Sequence, residues 1–327
     1  MRKRVWCTAF LMVLALASVS VRAYATGVDL GAGSGTLLIN GQELGYYRLG
    51  VPVQLGNTAN YDWWHGCSPT SAGMMMGYYD RNGYAGWDYS NLVPGGVAEA
   101  NSFGNPGALA NSIIASTGHV ADFYAGGNNA SGDDVALPWH AFDCLADFMG
   151  TSQDAIGNAN GWTTFYYWTN GAPFTAADAV AGGVKDLDGM YGIGEYLNYA
   201  GYNYDTLYTQ LIYSTSTPLG FTYAQYMAEI NAGRPVIIQV DGHSMLGYGY
   251  DAASSLVYLY DTWAPNGQNP GSMTWGGSYS GMDQWGVEVL ALAPSQPGIV
   301  PEPISLVCGL IGLGCIGGYL KRRRAAA

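Results

Sequence analysis

Charge is what this chain most lacks. Only 11% of its 327 residues are Asp, Glu, Lys or Arg, against about 25% in an average soluble domain. Cations are the scarcer sign. Of twelve Lys and Arg residues, eight fall near the ends (Arg2, Lys3, Arg4, Arg22 and Lys321 to Arg324), which leaves Arg48, Arg81, Lys185 and Arg234 between them. Those four face 23 acidic residues, so residues 26–297 carry a net charge of −19. Such a surface repels phosphate backbones and excludes electrostatic nucleic-acid binding. It remains compatible with calcium or cationic partners. Cysteine is also sparse: Cys7, Cys308 and Cys315 lie in apolar terminal segments, and only Cys67 and Cys144 remain. Two cysteines exclude a multiply bridged scaffold. They leave open a single Cys67–Cys144 disulfide, a plain buried thiol at Cys67, or a nucleophilic Cys67 with Cys144 buried as an apolar residue. Histidine is limited to His65, His119, His140 and His243.

Long apolar runs occur at the two ends. Basic Met1-Arg2-Lys3-Arg4 precedes an apolar Phe10 to Val19 and a small-x-small Ala23-Tyr24-Ala25, the pattern of a signal peptide over 1–25. The other end reads Val300-Pro301-Glu302-Pro303, then uncharged Ile304 to Leu320, then Lys321-Arg322-Arg323-Arg324. Seventeen helical residues at about 1.5 Å each span a thin or tilted hydrocarbon core, with the cations kept on the cytoplasmic side. This order of triplet, transmembrane segment (304–320) and basic stop resembles the PEP-CTERM sorting signal, here residues 298–327. The resemblance implies an exosortase-type sorting enzyme as partner. It further implies export, anchoring in the membrane through the tail, and then residence at the cell surface or in the extracellular matrix. An ordinary C-terminal anchor is the other reading. The working domain is 26–297.

Within that domain, Asn40-Gly41 between two short β-prone runs marks a hairpin. Cys67-Ser68-Pro69-Thr70 opens a helix: Pro69 fits the first turn, where no backbone N–H is needed, and Asp80-Arg81-Asn82-Gly83 ends it. Helices are expected over 108–116, over 138–149, in pieces over 175–199 broken by Gly182, Gly183 and Gly189, and over 223–231. Short β-branched or aromatic runs at 235–240, 245–250, 256–260 and 287–292 read as an antiparallel sheet. Helices first and sheet last give an α+β class.

The chemistry centres on Cys67. A thiol at a helix N-terminus is favoured as thiolate, and the free N–H groups there can receive an oxyanion. His243 begins one predicted strand and Asp261 ends the next, so an antiparallel turn brings them together as base and orienting acid. Gly66-Cys67-Ser68-Pro69-Thr70-Ser71, His243 and Tyr260-Asp261 resemble the bacteriocin-processing (double-glycine leader) cysteine peptidases and their secreted relatives, which have a papain-like fold. The resemblance covers about 51–80 and 225–292. It implies a helix carrying the Cys packed on a C-terminal antiparallel sheet, peptide or protein as substrate, and a Cys67–His243–Asp261 triad. It implies Gln54 as oxyanion donor, although Gln54 stands thirteen residues before Cys67, farther than is usual in that family. Ser68 replaces a frequent Gly, and 84–222 is left as a large, mainly helical or irregular insert.

Other readings stay open on sequence alone. The same fold can serve as a non-catalytic surface or matrix scaffold, and the Tyr and Trp content suits a carbohydrate-binding module. Asp80-x-Asn82-Gly83 and Asp186-x-Asp188-Gly189 echo calcium loops but lack the twelve-residue ligand spacing, so they are expected as turns. His65 is expected at the surface beside Trp63-Trp64, and His119 as a structural residue.

Overall fold

The computed structural model describes residues 33–39, 42–48, 52–103, 105–125, 141–153, 156–263 and 271–294. The expected signal peptide, the expected sorting tail with its 304–320 segment, and His140 lie outside the described residues. Among the described residues no helix is long and apolar enough to cross a membrane.

In chain order the elements are β1 (Gly33–Ile39), β2 (Gln42–Arg48), β3 (Val53–Gln54), α1 (Cys67–Asn82), α2 (Leu109–Ile114), α3 (Thr117–Ala125), α4 (Leu145–Phe148), β4 (Phe174–Thr175), α5 (Ala176–Ala181), α6 (Gly189–Tyr199), β5 (Tyr204–Leu211), α7 (Tyr223–Asn231), β6 (Val236–Val240), β7 (His243–Asp251), β8 (Leu256–Tyr260), β9 (Gly271–Thr274), β10 (Ser278–Tyr279) and β11 (Met282–Leu292). β1 and β2 pair antiparallel with Ile39 opposite Gln42; the hairpin expected at Asn40-Gly41 has its two turn residues outside the described residues. All the other strands form one antiparallel sheet in the order β4-β5-β11-β6-β7-β8-β9, with β3 on β7 and β10 on β11. The α+β, papain-like class expected from the sequence holds.

The sheet lies between helices, and this is why its centre reads as unbroken burial. β6 is buried along its whole length, and so is β7 up to Asp251. On one face Ile237, Leu246 and Leu290 join the core built around α1. On the other, Val236, Ile238, Val240 and Met245 pack with Tyr226 and Ile230 of α7. Each such aliphatic side chain contributes about 1.5–3 kcal/mol when fully buried. α1 is buried from Ser68 to Asp80 on every side, which makes it the central helix rather than a surface one. Its two glycines allow this: a Cβ at Gly73 would overlap Ile114, and one at Gly77 would overlap the Tyr61 hydroxyl.

Two departures from the sequence reading are local. The 84–222 insert is not only helical or irregular, since it supplies β4 and β5, and β5 lies inside the sheet beside β11. The helix expected over 138–149 is, among described residues, only Leu145–Phe148. Asp147 Oδ2 accepts the N–H groups of Asp143 and Cys144 at 3.0 and 3.2 Å, a reciprocal cap that starts the helix at Leu145.

Asp80, expected in a turn, lies instead within the last part of α1. Its two carboxylate oxygens accept Val93 N–H at 3.1 Å and Ala98 N–H at 2.7 Å, so it ties α1 to the segment that follows.

Candidate active site

The Cys67 loop is fixed from three sides. Trp63 N–H donates to the Thr262 carbonyl at 2.7 Å, which ties it to the end of β8. Thr70 Oγ1 donates to the Gly66 carbonyl at 2.6 Å and accepts Trp64 N–H at 3.0 Å. His65 takes a left-handed conformation, φ 58°, which His adopts more readily than most residues. Gly66 follows where an added Cβ would stand 2.8 Å from both Pro69 Cγ and Thr151 Cγ2. These constraints place Cys67 as the first residue of α1, half-buried. The first-turn N–H groups of Cys67 and Ser68 have no acceptor within the helix, and Pro69 has no N–H to offer.

His243 arrives from the start of β7 and is 5% exposed. Its Nε2 stands 2.7 Å from the main-chain carbonyl of Asp261. A carbonyl only accepts, so Nε2 carries the proton and Nδ1 is left as the acceptor. The Cys67 thiol is hydrogen-bonded to this ring. Burial alone would raise the thiol. The hydrogen bond and charge of His243, the Ser244 N–H and the Ser68 hydroxyl outweigh burial and hold it below the ordinary thiol range. Trp263 covers the imidazole in a near-parallel stack, with centroids 4.0 Å apart and planes at 25°.

The structure brings Cys67, His243 and Asp261 together but changes how the third takes part. Asp261 meets the ring through its backbone. Its carboxylate accepts Trp263 N–H at 3.0 Å and the Tyr279 hydroxyl at 2.6 Å, which sets the tryptophan over the histidine. Gln54 is not at this site. It pairs with Gly249 on β7, six residues along from His243, about 20 Å of strand. The longer spacing to Cys67 seen in the sequence reflects that position.

A cleft of about 420 Å³ opens on Cys67, lined among others by His243, Gly161, Trp162, Phe165 and Trp285. Gly161 and Trp162 come from the insert, so that segment forms one wall. Trp162 is 70% exposed. Among described residues no cation lines the cleft.

Cys67 and Cys144 are both free cysteines. Cys144 is fully buried, and burial raises its thiol well above the usual range. With His119 and Asp147 it forms a second Cys-His-Asp group, its ligand atoms within 4.8 Å of one another and all three residues buried. Asp147 Oδ1 lies 2.9 Å from His119 Nδ1 while the same carboxylate caps α4, so the group ties α3 to α4. No substrate carbonyl reaches it from solvent. His65, expected at the surface, is instead 3% exposed. Burial, then the charge of His119, lowers it to about 4, so it is neutral at neutral pH and brings no positive charge to Cys67.

Sequence reasoning passed over Trp263 and the buried polar residues Gln239 and Glu288. Glu288 did carry a signal, as an acid inside the apolar run Val287–Leu292.

Compared with known proteins, residues 49–279 match the family described as Peptidase_C39 like family. No curated protein and no solved structure matches the chain.

Proposed function

The chain belongs to the Peptidase_C39 like family and so is of cysteine-peptidase type, and on that premise we propose that Cys67 is its nucleophile and His243 its general base. In this reading His243 Nδ1 takes the thiol proton and Sγ attacks a peptide carbonyl carbon. The resulting oxyanion lies toward the first-turn N–H groups of α1. The imidazolium returns its proton to the leaving amine as the C–N bond breaks, and water then hydrolyses the thioester. The Asp261 carbonyl holds the productive tautomer, and Trp263 keeps water off that hydrogen bond. The observation that carries the reading is the bonded Cys67–His243 pair opening on a cleft.

The finer assignment is to the double-glycine-leader type as a secreted relative, acting on peptide or protein. Residues 1–25 would direct export. The 298–327 tail would anchor the chain until an exosortase-type enzyme removes it and leaves residues 26–297 at the surface or in the matrix. The order of triplet, apolar run and basic stop supports this.

The test is hydrolysis of a broad peptide library by the purified chain. Cys67→Ala is expected to abolish turnover, and His243→Ala to cost nearly as much, because paired catalytic groups lose function as a unit. Full activity in His243→Ala would overturn the assignment. A parent with a free, reactive Cys67 but no hydrolysis would favour the non-catalytic scaffold of the same fold.

A further inference from the structure

Beneath Cys67 runs a line of buried polar side chains that nucleophile and base do not account for. Ser68 Oγ lies 2.7 Å from Ser244 Oγ, Ser244 Oγ lies 2.7 Å from Gln239 Oε1, and Gln239 Nε2 lies 2.7 Å from Glu288 Oε2. The four residues are 4, 2, 3 and 1% exposed. Ser68 also hydrogen-bonds the Cys67 thiol. Three come from β7, β6 and β11, in register on the face that α1 covers: Gln239 is opposite Ser244, and Glu288 is opposite Ile237. Glu288 Oε1 has no hydrogen-bond partner among the described residues. A carboxyl group so placed is costly, and an apolar side chain would fill the same volume at less expense.

Hydrogen counting allows the line two polarities. Each hydroxyl has one proton, and a half-turn of the amide exchanges its oxygen and nitrogen. In the first polarity every group donates away from the sulfur: Ser68 to Ser244, Ser244 to Gln239 Oε1, and Gln239 Nε2 to Glu288. A lone pair of Ser68 then faces Cys67, and the sulfur receives no donor from it. In the second, Glu288 O–H donates to Gln239 Oε1, Gln239 Nε2 to Ser244, Ser244 to Ser68, and Ser68 to Cys67. Only this polarity ends in a donor on a thiolate, and it requires Glu288 to keep its proton. Chains of aligned hydrogen bonds strengthen one another.

We propose that Ser68, Ser244, Gln239 and Glu288 form a reversible relay in which Glu288, as the acid, aims the Ser68 hydroxyl at the Cys67 thiolate. The proposal rests on Cys67 being the nucleophile. Glu288 is a positioning residue, since it touches neither substrate nor sulfur. Burial outweighs the lowering by the Gln239 hydrogen bond and, with the charge of Asp188, holds its carboxyl protonated well above the usual range. The charged and titratable groups around the two ends are few. His243 from β7 faces Cys67, with Asp261 against that ring and Asp62 beside Asp261. Asp188, at the start of α6, faces Glu288.

The experiment is iodoacetamide alkylation of Cys67 against pH, on the purified full chain and on Ser244→Ala, Glu288→Leu and Glu288→Gln. Both Ser244→Ala and Glu288→Leu keep the Ser68 hydroxyl but break the aligned chain that directs and strengthens it as a donor, which is expected to move the midpoint up by about one pH unit. Ser244→Ala and Glu288→Leu should therefore alkylate about tenfold more slowly below the midpoint. Glu288→Gln keeps a neutral donor and should titrate with the parent. If Glu288→Leu does not fold, Ser244→Ala carries the test. A low parent midpoint that Ser244→Ala leaves unmoved overturns the relay alone. Glu288→Gln matching a shifted Ser244→Ala overturns the donor direction. An ordinary thiol midpoint in the parent overturns the nucleophile reading, and the relay with it.

Discussion

At position 261 the group that holds the imidazole is a main-chain carbonyl, and no side-chain substitution removes a carbonyl. Asp261→Asn is therefore expected to lower kcat by no more than about tenfold, far less than the loss of about 10⁴ typical where an Asp side chain orients the base. What the variant weakens is the hold on Trp263 and Tyr279. A loss equal to that of His243→Ala, measured as kcat on one peptide, would show that the carboxylate itself orients the ring. Gln54→Ala should leave turnover at the parent level, because Gln54 sits opposite Gly249 rather than at the cleft. A hundredfold fall, the size expected for a lost oxyanion donor, would contradict that placement. The Cys and the His were legible in the sequence because each has a local signature, a helix start and a strand start. The atom through which Asp261 acts was not, since main-chain and side-chain acceptors occupy the same place in a sequence. Gln239 was illegible for a related reason: its role depends on a neighbour 49 positions away.

Among the elements, those with capping or turn chemistry were readable and those held by tertiary contacts were not. α7 has Thr222 and Gln225 in a reciprocal cap, N···O 3.2 and 2.8 Å, and a left-handed Gly233 just beyond its end; its expected and observed limits agree. β5 went unread. Its buried residues Leu207, Thr209 and Gln210 mix polar with apolar, so no period-two apolar signal exists, and Gln210 is buried because its amide donates to the Gly171 and Leu219 carbonyls at 2.8 and 2.7 Å. The contact of α4 with α6 is a third case, made by a missing side chain. A Cβ at Gly192 would overlap the Phe148 carbonyl and come within 2.6 Å of Met149 Cα. These atoms belong to the backbone and cannot rotate aside. Gly192→Ala should thus destabilise the chain by about 2 kcal/mol, despite the roughly 1 kcal/mol that Ala gains as a helix former. Urea unfolding monitored by tryptophan fluorescence would measure it, and an unchanged or higher midpoint would rule the packing out.

For the whole molecule, two buried acids work against stability as pH rises. Burial pushes Asp188 from 3.8 up to about 6, and burial, against the Gln239 hydrogen bond and with the charge of Asp188, holds Glu288 well above 4.5. Both folded-state values are raised, so the folded chain binds these protons more tightly than the unfolded one. Their contribution is present below the unfolded values, near pH 4, and is lost as pH rises through the raised folded values, about 6 for Asp188. For Asp188 the loss amounts to roughly 3 kcal/mol at most. His65, lowered to about 4, acts in the opposite sense over part of this window, so the test is the difference between two chains: from pH 4.5 to 7.5, Asp188→Asn is expected to lose less stability, or gain more, than the parent, by urea midpoints at both pH values. Equal changes in the two chains would reject Asp188 as a source. The position of β5 reaches further than the cleft wall its flanking segment supplies. β11 bonds β5 from Gly286 to Leu292 and β6 on its other side, so it is an interior strand only while residues 84–222 are present. A gene edited to delete them would not encode a smaller enzyme. It would encode a chain with a bare seven-residue adhesive seam, and such seams join copies end to end.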